Sequence, residues 1–164
     1  MFSWVTERLK LLMPAFWRSS NQSYESTYRY LKIDERISTS GQPTAAQFAS
    51  IKGENFDAVI NLSPTDAISA IKDQAEILEA LGLDYVHIPV DFDNPSVVAF
   101  EHFALEMKNR AEQRIWIHCA ANLRVAAFLY RYRVSVLGWS EPEAAIDLNR
   151  IWSPSSIWSR FLGR

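Results

Sequence analysis

The stretch Arg114-Ile115-Trp116-Ile117-His118-Cys119-Ala120-Ala121-Asn122-Leu123-Arg124-Val125-Ala126-Ala127-Phe128-Leu129-Tyr130 decides the fold. Ile115 to Ile117 is a short apolar run behind a charged segment, which predicts a buried strand. Val125, Phe128, Leu129, Tyr132 and Val136 recur at helical spacing, so a helix follows. Between them lies a loop that opens just after the only cysteine of the chain and closes on Arg124. A loop entering a helix N-terminus turns backbone N–H groups towards a common centre, where an anion is favoured. The same field favours the thiolate form of a cysteine placed there. An arginine at the end of the loop offers planar, bidentate donors to an oxyanion, which a lysine could not match. A lone cysteine is otherwise a small buried hydrophobe. Here His118 before it and Arg124 after it predict a nucleophile facing an anion cradle.

Working outward, Phe56 to Leu62 and Tyr85 to Val90 read as buried strands. Tyr30 to Ile33 and Arg36 to Thr39 read as a hairpin turned at Asp34-Glu35. Helices are expected from a Thr44 cap to about Lys52 with Gly53 as the stop, from Ile68 to Leu81 ended by Gly82, and from Val97 to Ala111. After the central helix Gly138 ends the segment. Glu141 to Trp152 and Ser156 to Leu162 then read as two shorter helices, each with a proline near its start. Strands alternating with helices predict an α/β fold, a central largely parallel sheet with helices on both faces. Sites in such a sheet gather beyond the carboxyl ends of the strands. That rule brings together Ser63 to Asp66, Asp91 to Ser96, and Cys119 to Arg124.

A chain of 164 residues suits one domain, placed at residues 23–164, behind an N-terminal amphipathic segment at 1–22. In that segment Trp4, Val5, Leu9, Leu12, Met13, Phe16 and Trp17 share a helical face, with Arg8, Lys10 and Arg18 around it. It is too short to span a bilayer, and no convincing small-residue cleavage site follows. Two readings stand: a helix packed on the domain or on a second copy, or a basic segment making peripheral membrane contact through residues 1–20. A hydrophobic content of 48% with 13% aromatics implies a packed globule, and a net charge of -2 gives no reason to expect nucleic acid. One cysteine forms no internal disulfide, so the expected setting is cytoplasmic; no zinc-ligand spacing exists, and no metal or cofactor is expected.

His118-Cys119 followed by Arg124 resembles the signature of the cysteine-based protein tyrosine phosphatases, dual-specificity branch. Ile37-Ser38-Thr39-Ser40-Gly41-Gln42-Pro43-Thr44, Phe56-Asp57-Ala58-Val59-Ile60-Asn61-Leu62 and Leu148-Asn149-Arg150-Ile151-Trp152 resemble a bacterial subgroup of that family. The resemblance implies a dual-specificity-phosphatase-like fold and hydrolysis of phosphoric monoesters, on a phosphorylated protein or a small phosphoester. It implies that the Cys119 thiolate attacks phosphorus to give a cysteinyl-phosphate, which water then hydrolyses. Arg124, with the loop residues Ala120, Ala121, Asn122 and Leu123, would bind the phosphoryl oxygens, and His118 would support the loop. An acid from a separate loop protonates the leaving oxygen. Asp91 and Asp93 lie where the family places it, and Asp91 fits better because it follows its strand directly; the plainer reading of both is a solvated turn.

Two departures from the family pattern stand out. Four residues separate Cys119 from Arg124 where the family has five, with its usual glycine missing, and Ala126 replaces the hydroxyl residue that stabilises the departing thiolate. The shorter loop is similar to the sulfur-accepting loop of rhodanese-type sulfurtransferases. Two alternatives therefore accompany the phosphatase expectation: sulfur transfer through a persulfide on Cys119, and a non-catalytic pseudophosphatase that binds an anion or a partner.

Asn122 is expected to order the loop or to touch substrate, and Ser40, Gly41 and Gln42 to rest beneath it. His87 and His102 read as packing or surface residues. Arg110, Arg114, Arg131 and Arg133 read either as a basic surface drawing in anions or as ordinary solvated charge. Trp139, Trp152 and Trp158 are expected to close the core under the last helices.

Overall fold

Ile115, Trp116, Ile117 and His118 have no exposed surface, as a strand paired on both edges and covered on both faces requires. Five short strands make the sheet: β1 (Leu31–Lys32), β2 (Ile37–Ser40), β3 (Ala58–Asn61), β4 (Asp84–His87) and β5 (Ile115–His118), in the order β1-β2-β5-β3-β4. β2, β5, β3 and β4 run parallel, with Ser40 and Asn61 both level with His118; β1 alone is antiparallel. The β1–β2 turn forms at Asp34, as expected, because its Oδ1 accepts the N–H groups of Arg36 and Ile37, each at 2.7 Å. The computed structural model describes residues 22–164; the amphipathic segment expected over residues 1–20 lies outside them.

Among the described residues six α-helices cover the two faces of the sheet: α1 (Ala45–Gly53), α2 (Gln74–Ala80), α3 (Val97–Asn109), α4 (Leu123–Ser135), α5 (Glu141–Ile151) and α6 (Ser156–Leu162). Because strand side chains alternate, Ile115 and Ile117 join one core while Trp116 joins the other. The larger core gathers Phe100 and Phe103 of α3, Val125 and Phe128 of α4, Leu148 of α5 and Trp158 of α6. The smaller holds Phe48 and Ile51 of α1, Leu78 of α2, and Phe56, Leu81 and Leu83 from the connections. Reciprocal side-chain bonds start α1 (Thr44 with Gln47) and α5 (Ser140 with Glu143), and Ser96 caps α3 by accepting the Ala99 N–H at 3.1 Å.

Three expectations need correction. The helix expected from Ile68 to Leu81 forms only over Gln74–Ala80, because the chain before it closes separate turns, Ala67 N–H to Pro64, Ala70 N–H to Ala67 and Gln74 N–H to Ile71, and Ile68 is left fully exposed. Gly53 does not stop α1 but belongs to it; the left-handed residue after that helix is Asn55 (φ 62°), a conformation asparagine tolerates. Trp139 does not close the core: it is 42% exposed, and the Arg133 guanidinium lies over its ring at 4.5 Å.

Candidate active site

The carboxyl ends of the parallel strands converge on the loop that joins β5 to α4. Cys119 donates its backbone N–H to the Ser40 carbonyl at 3.3 Å, and the Gln42 N–H donates to the Ala120 carbonyl at 3.2 Å. Gly41 pairs with Ala121 between these two bonds. The approach is so close that a Cβ on Gly41 would lie 2.7 Å from the Ala120 oxygen and 2.8 Å from Tyr28 Cδ1, so only glycine fits. Ser40, Gly41 and Gln42 thus rest beneath the loop, as expected. Ser40 is fixed in turn by the Trp116 indole, whose Nε1 donates to its Oγ at 2.9 Å.

Asn122 stands in the left-handed region (φ 64°), the conformation that lets so short a loop turn into α4. Its Nδ2 donates to the Arg29 carbonyl (2.8 Å) and to Thr39 Oγ1 (3.0 Å), so of its two expected roles the structure gives it the ordering of the loop. The N–H groups of Ala120, Ala121, Leu123, Arg124 and Val125 find no acceptor among the described residues. They are the orphan donors of a helix start and of the loop that feeds it. Arg124, 9% exposed, donates Nε–H to the Val90 carbonyl at 2.9 Å and stacks on the Phe92 ring at 5.0 Å. Its two Nη groups donate to nothing among the described residues. Cys119 has no exposed surface and packs within the larger apolar core; Ala120 and Ala121, which follow it, are half-buried.

The expected meeting of the three loops is found. The Arg124 contacts join the loop after Cys119 to the segment around Asp91, and the Leu62 N–H donates to the His118 carbonyl at 2.9 Å, which brings in the segment at Ser63. Asp91 is exposed, and its Oδ1 accepts the Asp93 N–H at 2.9 Å; Asp93 is exposed as well. Phe92 between them is held from below: Trp158 Nε1 donates to its carbonyl at 2.9 Å, and the Trp152 and Trp158 rings lie 5.8 and 5.5 Å from its own. His118 is fully buried with Gln74 Nε2 at 2.9 Å from its Nε2. Burial pushes its pKa down from 6.5 to about 3; a backbone contact at Cys119 opposes this in part, and nearby His87 adds to it.

Other candidates have structural partners. His87 Nε2 lies 2.7 Å from the Ser63 carbonyl and its ring stacks with Tyr85, and His102 is a half-exposed neighbour of Glu106. Arg110 pairs with Asp84 and Glu106, Arg133 pairs with Asp147, and Arg131 donates to the Phe161 carbonyl. Arg114 donates to the carbonyls of Glu35 and Glu54 and stacks on Phe56. These contacts tie all four arginines to neighbouring elements of the fold. Sequence reasoning missed Gln74, Thr39 and Phe92 as parts of the site. Phe92 alone carried a signal, as an aromatic residue in an otherwise polar loop.

Residues 10–156 match the sequence model of a family described as DSP-PTPase phosphatase fused to NAD+ kinase. Among solved structures, a protein of Shewanella putrefaciens named as a phosphatase of the DUF442 type is 28% identical, with a TM-score of 0.76 over 85% of this chain and 91% of that one. The core catalytic domain of the PP-IP phosphatase SIW14 from S. cerevisiae shares the fold at 16% identity, with a TM-score of 0.69 over 84% and 87% of the two chains. A beta-lactamase hydrolase-like protein of Agrobacterium fabrum is 29% identical over 98 residues, which span 57% of this chain and 22% of that protein's length.

Proposed function

From the premise that the chain belongs to the family of DSP-PTPase phosphatases fused to NAD+ kinase, we propose that it hydrolyses phosphoric monoesters through a cysteinyl-phosphate. The observation that carries this reading is the set of donors around one loop that find no acceptor among the described residues, namely five backbone N–H groups and the two Nη groups of Arg124. A phosphoryl group gains negative charge on its equatorial oxygens as it transfers, and preorganised donors stabilise that charge without reorganising. Cys119 precedes this array in the chain, and on this reading its sulfur attacks phosphorus as the ester oxygen departs. The departing oxygen takes a proton from Asp91, a step that contributes about 10²–10⁴-fold. Water then attacks the phosphorus, the S–P bond breaks, and phosphate leaves with the Cys119 thiolate restored. The substrate is a phosphorylated protein or a small phosphoester.

The test is turnover of p-nitrophenyl phosphate. Vanadate should inhibit it, Cys119→Ser should abolish it, and Asp91→Asn should slow it by about a hundredfold and remove the alkaline limb of the pH–rate profile. Full activity in Cys119→Ser would refute the covalent route, and an unchanged profile in Asp91→Asn would take that residue out of the mechanism. The four-residue loop favours one competing reading, sulfur transfer. Thiosulfate-to-cyanide transfer in a protein inert towards phosphoesters would put that reading in its place.

A further inference from the structure

Beneath the loop, polar groups close a ring. The Gln42 backbone N–H donates to the Ala120 carbonyl (3.2 Å), the Gln42 side chain donates to Gln74 Oε1 (2.9 Å), and Gln74 Nε2 lies 2.9 Å from His118 Nε2. His118, Cys119 and Ala120 are consecutive, so the main chain completes the circuit around the nucleophile. The polarity of the ring is set at its far end. Gln42 Nε2 also lies 3.0 Å from the Pro43 carbonyl, which can only accept. The Gln42 atom there is therefore nitrogen, Gln74 Oε1 is its acceptor, and the Gln74 nitrogen is aimed at the imidazole. His118 Nε2 then accepts and bears no proton, which leaves the proton of the neutral ring on Nδ1. Gln74 is 5% exposed and His118 has no exposed surface, so each depends on the other to satisfy a buried polar group.

We propose that Gln74 and Gln42 are positioning residues of the nucleophile loop. The ring selects the Nδ1–H tautomer of His118, whose Nδ1 is buried and meets no hydrogen-bond partner among the described residues, and it ties back the Ala120 carbonyl. The N–H groups that follow stay directed into the cradle. Neither glutamine touches the reacting atoms; each acts through His118 or Ala120. The catalytic consequence rests on the phosphatase reading above, whereas the tautomer does not.

Long-range proton–nitrogen NMR on the full chain, with nitrogen-labelled histidine, reads the tautomer directly, and His118→Asn assigns the signal by its loss. The wild type should show a protonated Nδ1 and a bare Nε2. Gln74→Glu is nearly isosteric, but as a carboxylate it only accepts, so the His118 proton should move to Nε2. With p-nitrophenyl phosphate, kcat should then fall about tenfold or more, as expected for a displaced catalytic loop, with little change in KM. Gln42→Leu opens the ring at its half-buried corner and should give mixed tautomers with a smaller loss of kcat. An Nε2–H tautomer in the wild type overturns the proposal, as does a folded Gln74→Glu protein that keeps the wild-type tautomer or the wild-type kcat. A wild type with the Nδ1–H tautomer but no phosphoester turnover upholds the ring's selection of the tautomer and sinks the phosphatase reading instead.

Discussion

Asn122 holds the geometry of the loop by two means at once. Its backbone sits at φ 64°, where a side chain bearing Cβ is strained by about 1 kcal/mol and asparagine less so. Its amide binds Arg29 and Thr39, two residues that flank the site from the β1 side. Asn122→Ala should lose both devices and destabilise the fold by about 2–3 kcal/mol, summing one strained residue and two hydrogen bonds, one buried and one partly so. Asn122→Gly should relieve the strain and recover about 1 kcal/mol while leaving the loop untethered. Urea unfolding separates the two variants in stability, and vanadate inhibition should weaken in both. Equal stability of the alanine and glycine variants would show that the left-handed backbone is not what asparagine serves. Legibility differed in the same way among neighbouring residues. Cys119 and Arg124 stood out in the chain because the proposed nucleophile and anion binder need particular side chains, and Gly41 because it breaks the pattern. Thr39 and Gln74 did not, since each matters only through a partner 83 or 44 positions away.

Among the elements, α6 is seven residues long and lies at the end of the chain, yet it fixes the segment that carries the proposed acid. Trp158 is buried, packs on Phe128 and Phe161, and donates Nε1–H to the Phe92 carbonyl; the Phe92 ring in turn faces the Arg124 guanidinium. Trp158→Phe keeps an aromatic ring in the core but removes that donor and some volume. It should destabilise the protein by about 1–3 kcal/mol, for an unpaired carbonyl and a small cavity, and lower kcat/KM several-fold by releasing Phe92 from Arg124. A variant as active as the wild type, measured where it remains fully folded, would show that the loop keeps its place without α6. The boundaries of α5 and α6 were plain in the sequence because prolines and serines mark their starts. The start of α2 was not: Ile68 and Ile71 imitate helical periodicity, and the successive turns that hold them outside the helix depend on local hydrogen bonds that hydrophobic spacing does not encode.

At the scale of the whole molecule, β5 divides two cores, and His118 stands at its end with no surface exposed to solvent. The groups around it are the Gln74 amide, the Phe48 ring at 5.7 Å and His87, whose positive charge would add to its own; no carboxylate pairs with it among the described residues. Burial therefore holds His118 neutral in the fold, with a pKa of about 3 against 6.5 for the ordinary side chain. Between those values the unfolded chain binds a proton that the native chain does not, so stability is full above about pH 6.5 and declines as the pH falls towards 3. The decline amounts to ~1.4 kcal/mol per pH unit, or about 2 kcal/mol by pH 5. Urea unfolding at pH 7.5 and pH 5.0 measures it, and His118→Asn supplies the reference, since every other titrating group remains. The wild type should lose about 2 kcal/mol more than the variant over that interval. If the two proteins lose the same amount, His118 takes up a proton in the fold as readily as outside it. The interior would then have to admit a charge at the foot of the loop, and the neutral imidazole on which the glutamine ring depends would not be the state the protein keeps.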